Sequence, residues 1–199
     1  MRDDRKQRHP ILGRLANFAS GPSTAGASYL KGAVGEEKLG AKLDEMTTEG
    51  LFVLHDRRRP GTTANIDHLV VAPSGVWVID AKRYDGQVSK RDRGGWFKSD
   101  IRLTVAGRDR TNLVEGVHKQ VADVQRVLSN ARGLEVPVHG ALCFIDAEFG
   151  LFAKPFTVDG VLVIWGKAMR DHLRAPGPLD DPARARVDNG LRAAFPPCR

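Results

Sequence analysis

In Asn65-Ile-Asp-His-Leu-Val-Val-Ala-Pro-Ser-Gly-Val-Trp-Val-Ile-Asp-Ala-Lys82, two apolar runs flank the polar break Pro73-Ser-Gly75. Runs of β-branched and aromatic residues around a tight Pro/Gly break predict two antiparallel strands, Asn65–Ala72 and Val76–Lys82. On the second strand Val76, Val78, Asp80 and Lys82 share one face, and Trp77, Ile79 and Ala81 share the other. Both faces begin apolar, so this strand is central, and one face ends in an acid and a base. Asp67 lies on the same side of its strand as Leu69 and Val71. A two-residue turn at Ser74-Gly75 sets Asp67 opposite Lys82, with Asp80 on the diagonal.

Outward from this hairpin, Ala33–Met46 has Leu39, Leu43 and Met46 at helical spacing, which predicts a helix. Leu51–Leu54 is a short strand, followed by a loop at Arg57–Gly61. The polar stretch Gly86–Val105 reads as an extra hairpin and Leu113–Leu128 as a second helix. Strands are expected at Val136–Ile145 and Val161–Trp165, and short helices near 167–174 and 182–194. This order gives a mixed α/β sheet with helices on its faces.

Helical periodicity places two more polar groups inward. Glu36 precedes Leu39 by three and Leu43 by seven, so it shares their buried stripe, whereas Glu37 is rotated about 100° towards solvent. Gln120 falls on the stripe of Leu113, Val117 and Val124, with Lys119 pointing away. Glu36, Asp67, Asp80, Lys82 and Gln120 thus all sit on core-facing sides, where an uncompensated carboxylate costs several kcal/mol.

Two or three converging carboxylates in oxygen-rich surroundings suit a hard cation, Mg²⁺ or Mn²⁺, with Asp67, Asp80 and Glu36 as the candidate ligands. No Cys or His pair has zinc-ligand spacing. His68 faces away from Asp67, and His55 and His118 read as isolated. A cation beside a lysine suits phosphodiester hydrolysis. The metal polarises a phosphoryl oxygen and acidifies its water. Lys82 stabilises developing charge, and Gln120 holds the water or the lysine in line.

Gly32-Ala-Val-Gly-Glu36, Asn65-Ile-Asp-His-Leu-Val-Val71 and Gly75-Val-Trp-Val-Ile-Asp-Ala-Lys82 followed by Gly86 resemble the NERD (nuclease-related domain) family, within the PD-(D/E)xK nuclease-like superfamily. The resemblance covers roughly residues 32–145. It implies a restriction-endonuclease-like core of helix, three-stranded antiparallel meander, helix and further strands, with a mixed central sheet. It also implies that Glu36 is the family's helix glutamate, Asp67 its first metal-binding acid, Asp80 and Lys82 its (D/E)xK pair and Gln120 its helix glutamine. Ile66 stands where the superfamily motif has its proline.

The 199 residues fit one compact domain with tails, or two very small ones. Residues 1–30 read as a basic arm, with Ile11, Leu12, Leu15 and Phe18 on one side of a short helix and a flexible linker over residues 20–28. Residues 31–199 form the expected domain. Two cysteines build no disulfide framework and point to a reducing cytoplasm. No apolar run approaches the ~18 residues of a membrane span.

Lys and Arg number 31 against 24 Asp and Glu, a net charge of +7. Residues 1–30 carry +3, residues 31–82 carry −1 and residues 83–132 carry +5. The only net-acidic segment holds the carboxylates, and the most basic one follows it. Nucleic acid, DNA favoured, is the expected partner, with phosphate contacts from Arg57, Arg58, Arg59, Arg83, Arg91, Arg93, Arg108 and Arg110 and stacking by Trp96 or Phe97. A divalent-metal-dependent nuclease is one reading, and a nuclease-fold module that binds without cutting is another. A third has the arm docking on a partner or a membrane surface.

Overall fold

The structure, a computed structural model, describes residues 24–95, 99–129, 135–151 and 153–198, with side chains from Gly32 onward. Helix α1 (Thr24–Glu45) leads through a short 3-10 turn into strands β1 (Phe52–Arg58), β2 (Asn65–Ala72) and β3 (Gly75–Lys82). Then come β4 (Val88–Asp92), β5 (Ile101–Val105), β6 (Arg108–Asp109), helix α2 (Asn112–Ser129) and β7 (Val138–Phe144). Strands β8 (Phe156–Val158) and β9 (Val161–Trp165) precede helices α3 (Gly166–Leu173) and α4 (Asp181–Ala194).

Six strands form one sheet in the order β1-β2-β3-β7-β9-β8, and β4, β5 and β6 form a second. Strand β3 is central, antiparallel to β2 and parallel to β7. Its alternation explains the layers. Trp77, Ile79 and Ala81 pack with Leu39 and Leu43 of α1 and Met169 and Leu173 of α3. Val76 and Val78, on the opposite face, pack with Val124 and Leu128 of α2 and Val187 and Leu191 of α4. The small sheet closes on α2, β7 and β9 through Val88, Leu103 and Val105. Fully burying such aliphatic side chains stabilises the fold by roughly 1.5–3 kcal/mol each.

The structure moves several sequence expectations. Helix α1 begins at Thr24 rather than Ala33, so residues 24–28 are helix and not linker. Their Ala, Ser and Gly content resembles a linker, but Tyr29 and Leu30 follow without a breaker, and the helix runs through. The short helix expected around Ile11–Phe18 lies outside the described residues, as do Trp96 and Phe97. Arg57 and Arg58 belong to β1 and not to a loop.

The β2–β3 register also differs. Ala72 pairs with Gly75 and Val71 with Val76, so the two-residue turn is Pro73-Ser74 rather than Ser74-Gly75. Proline presets the φ that the first turn position needs. The two-residue shift keeps each side chain on its expected face but places Asp67 level with Asp80 rather than with Lys82.

Beyond β1, the chain's last described residues extend the sheet. Arg58 N–H donates to the Pro196 carbonyl at 2.9 Å, Cys198 N–H to the Asp56 carbonyl at 2.9 Å, and Arg57 bridges Pro197. Cys198, at the end of the sequence, is therefore buried.

Candidate active site

The regular β2–β3 ladder runs from the turn to the pair His68–Ile79 and stops. Strand β2 stays paired with β1 as far as Asn65, and β3 stays paired with β7 as far as Lys82. The two strands therefore part, and Asp67 and Asp80 occupy the fork. A side chain substitutes for the lost ladder, since Ala81 N–H donates to Asp67 Oδ2 at 2.9 Å. Asp80 is 6% exposed, and its Oδ1 accepts a hydrogen bond from Lys82 Nζ.

Electrostatics couples these groups. Burial first, then the charges of Asp80 and Glu36 and a hydrogen bond to Asp80, push the Asp67 carboxyl well above the usual carboxylate range. Lys82 opposes this shift without cancelling it. Burial alone would lower the Lys82 ammonium, but Asp80, Asp67 and Glu36 outweigh it and raise its pKa. Lys82 thus stays a cation at neutral pH, a hydrogen-bond donor rather than a base.

Glu36 is half-buried and Glu37 exposed, as the helical stripe predicts. Helix α1 covers the other face of the sheet from Asp80, so Glu36 acts from beside the strand ends. There a Cβ on Gly35 would lie 3.0 Å from Arg83 Cβ. Gln120 lies on α2, half-buried, and its Oε1 is shielded from solvent with no hydrogen-bond partner among the described residues. Asp67, Asp80, Lys82 and Glu36 thus interact, whereas no hydrogen bond described here joins Gln120 to them.

The expected phosphate-contacting arginines divide into two groups. Arg58, Arg91, Arg93 and Arg108 are exposed. Arg59 is instead tied to α2, with Nε donating to Asp123 Oδ2 at 2.7 Å and Nη2 to the Lys119 carbonyl at 3.3 Å. Arg57 is half-buried, and burial lowers its pKa. Arg83 faces Asp146 at 3.3 Å, and Arg110 lies over the Tyr84 ring, 5.4 Å from its centre. A groove of about 590 Å³ opens between the β1–β2 loop and the C-terminal segment, lined by Arg58, Arg59, Thr62, Thr63 and Pro196. The carboxylates are not among its lining residues.

The histidines are not isolated. His55 Nε2 meets Asp44 Oδ1 at 2.8 Å and His55 Nδ1 meets His68 Nδ1 at 2.8 Å, beneath Gly40 of α1. His118 pairs with Asp159 at 3.1 Å. None of these contacts was legible from spacing, because each joins separate elements. Asp146, which contacts both Lys38 and Arg83, was missed for the same reason.

The mixed sheet with helices on both faces, carrying two carboxylates and a lysine where strands part, is compatible with a nuclease-like α/β domain. The family model of the nuclease-related domain, NERD, matches residues 31–145, and the chain belongs to that family. Over 74 residues it is 34% identical to an uncharacterized protein of Bacillus anthracis. That stretch is 36% of this chain and 35% of the relative, so the chain spans about a third of the curated relative's length. No solved structure gives a match. No helix among the described residues is long and apolar enough to cross a membrane.

Proposed function

We propose that this chain is a divalent-metal-dependent nuclease hydrolysing phosphodiester bonds in DNA. The observation that carries the reading is the meeting of Asp67 and Asp80 beside Lys82 where β2 and β3 part. Two carboxylates close enough to share a hydrogen bond cannot both ionise cheaply without a cation, and here their donors are hard oxygens suited to Mg²⁺ or Mn²⁺. Among the described residues no group of three or more His, Cys, Asp or Glu side chains is placed to hold a metal ion. The ion would therefore rest on two carboxylates, with water and substrate phosphate supplying the other ligands.

Asp67 and Asp80 would hold the ion, with the charge of Glu36 also acting on the fork. When bound, the ion supplies Lewis acidity towards the phosphoryl oxygen and a more acidic water. The chain's own groups do the remainder. The Ala81 N–H fixes one oxygen of Asp67, so that carboxylate is oriented before substrate arrives. Lys82, protonated and held by Asp80, donates to developing negative charge on the phosphate. Gln120, with an unpartnered oxygen, is the group available to orient the attacking water.

Incubation with linear, nicked and single-stranded DNA in Mg²⁺ or Mn²⁺ tests this reading. Cleavage by the wild type that disappears in Asp80→Ala is expected, and identical products from both proteins sink the enzymatic claim. The open ligand set and the exposed Arg91, Arg93 and Arg108 favour a second reading, a module that binds nucleic acid without cutting it. Salt-dependent binding with no metal-dependent products would select it.

A further inference from the structure

Asp146 follows β7 with a φ of 60°, a left-handed turn conformation that aspartate tolerates. Its Oδ2 accepts a hydrogen bond from Lys38 Nζ at 2.6 Å. The same oxygen lies 3.3 Å from Arg83 Nε, which is shielded from solvent and has no aligned hydrogen-bond partner. Lys38 stands two residues along α1 from Glu36, and Arg83 directly follows Lys82. The two cations come from separate elements, α1 and the end of β3, and meet at Asp146.

The Lys38 and Asp146 side chains are 47% and 45% exposed and that of Arg83 27%, so a ligand can reach all three. Two cations from separate elements face the single Asp146 carboxylate there. The carboxylate places its oxygen where a phosphate oxygen would satisfy the same donors. Gly35 is what lets α1 approach so closely, because a Cβ there would already press on Arg83 Cβ at 3.0 Å.

We propose that Lys38 and Arg83 form a binding site for a backbone phosphate of a nucleic-acid strand, beside the phosphate that is cut, and that Asp146 occupies it until a strand displaces the carboxylate. Cutting of the neighbouring phosphate rests on the nuclease reading, whereas the phosphate site stands with or without hydrolysis. Its chemistry is charge-assisted hydrogen bonding from two cations to one anionic group. Because it uses backbone phosphate alone, it adds affinity uniformly across sequences.

The test is binding of a short fluorescent DNA duplex, followed by anisotropy in EDTA over a range of salt concentrations, with each variant's unfolding curve measured alongside. Lys38→Ala and Arg83→Ala should each weaken binding and reduce the slope of log affinity against log salt by about 1. Asp146→Asn should tighten binding by about fivefold, since it frees both cations from an exposed ion pair. An unchanged slope in Lys38→Ala, an exposed site where folding is not at issue, overturns the proposal. So does an Asp146→Asn protein that loses stability and binds no more tightly, or a wild type that does not bind. Because these measurements use no metal, loss of the nuclease reading would leave them standing, and their failure would leave cleavage to be judged on Asp80→Ala.

Discussion

The two ends of the β2–β3 hairpin are opposites. At the turn, polar groups are satisfied by neighbours. Val76 N–H donates to the Pro137 carbonyl at 2.8 Å, Leu179 N–H to the Pro73 carbonyl at 3.0 Å, and Trp77 Nε1 to Ser74 Oγ at 3.0 Å. Backbones also approach too closely there for side chains. A Cβ on Gly177 would lie 2.3 Å from Ser74 Cα, and one on Gly75, whose φ is +134°, 2.4 Å from the Pro137 oxygen. At the open end the ladder stops and two carboxylates confront each other. One hairpin thus has an end that is closed by its own chain and an end where the ladder stops and like charges meet.

Substitutions at the two ends should therefore report on different properties. The largest effect is expected from Asp80→Ala, where DNA cleavage should fall on the order of 10³-fold, the scale for losing a group that stabilises developing charge. Its urea unfolding midpoint should stay near or above the wild-type value. A comparable fall in stability would mean that the open end is structural after all. Next, Gly177→Ala should cost about 3 kcal/mol in urea unfolding, because the methyl meets backbone that cannot yield without moving the turn. Cleavage per folded molecule should be unaltered.

Asp67→Asn sharpens the contrast from the other side. Its amide oxygen can still accept the Ala81 N–H, but the repulsion with Asp80 is gone. The variant should be more stable than the wild type in EDTA at neutral pH, because burial and the Asp80 charge disfavour the ionised Asp67 carboxyl. Mn²⁺ should raise the Tm of the wild type and leave that of the variant unmoved. A wild type whose Tm ignores Mn²⁺ would argue against a cation at the fork.

The smallest effect is a pH dependence. Burial and His55 hold His68 well below its ordinary value of 6.5. The unfolded imidazole takes up a proton below pH 6.5 while the folded one refuses it. Its contribution is therefore fully present above 6.5 and is lost as pH falls, by at most about 1.4 kcal/mol per unit. Asp67 acts in the opposite sense. Its raised pKa means that folding gains most at acid pH and that this gain fades as pH rises through the folded value. Melting curves between pH 7 and 5 in the Asp67→Asn background isolate the histidine, and adding His68→Gln should flatten them.

Periodicity was enough to turn Glu36, Asp67, Asp80 and Lys82 inward, because strand and helix repeats decide which face a residue occupies. It could not fix the register, since Pro73-Ser74 and Ser74-Gly75 are both acceptable turns and faces are preserved by a shift of two. Lys38 escaped for a different reason. It lies on an exposed part of α1, and its partner Asp146 is 108 residues away. Arg59 reads as a free cation in its arginine run, yet Asp123 of α2 neutralises it. Position along a face is local information, but the identity of a charge's partner depends on how distant elements are brought together.

The segment after α4 that lies along β1 bears on self-association. Without it, β1 would present unpaired N–H and C=O groups at the rim of a six-stranded sheet, the template on which strands of other molecules add. The covering segment contains Pro196 and Pro197, which have no N–H to offer to a further strand. Two prolines at that border leave fewer donors to which another molecule's strand could add.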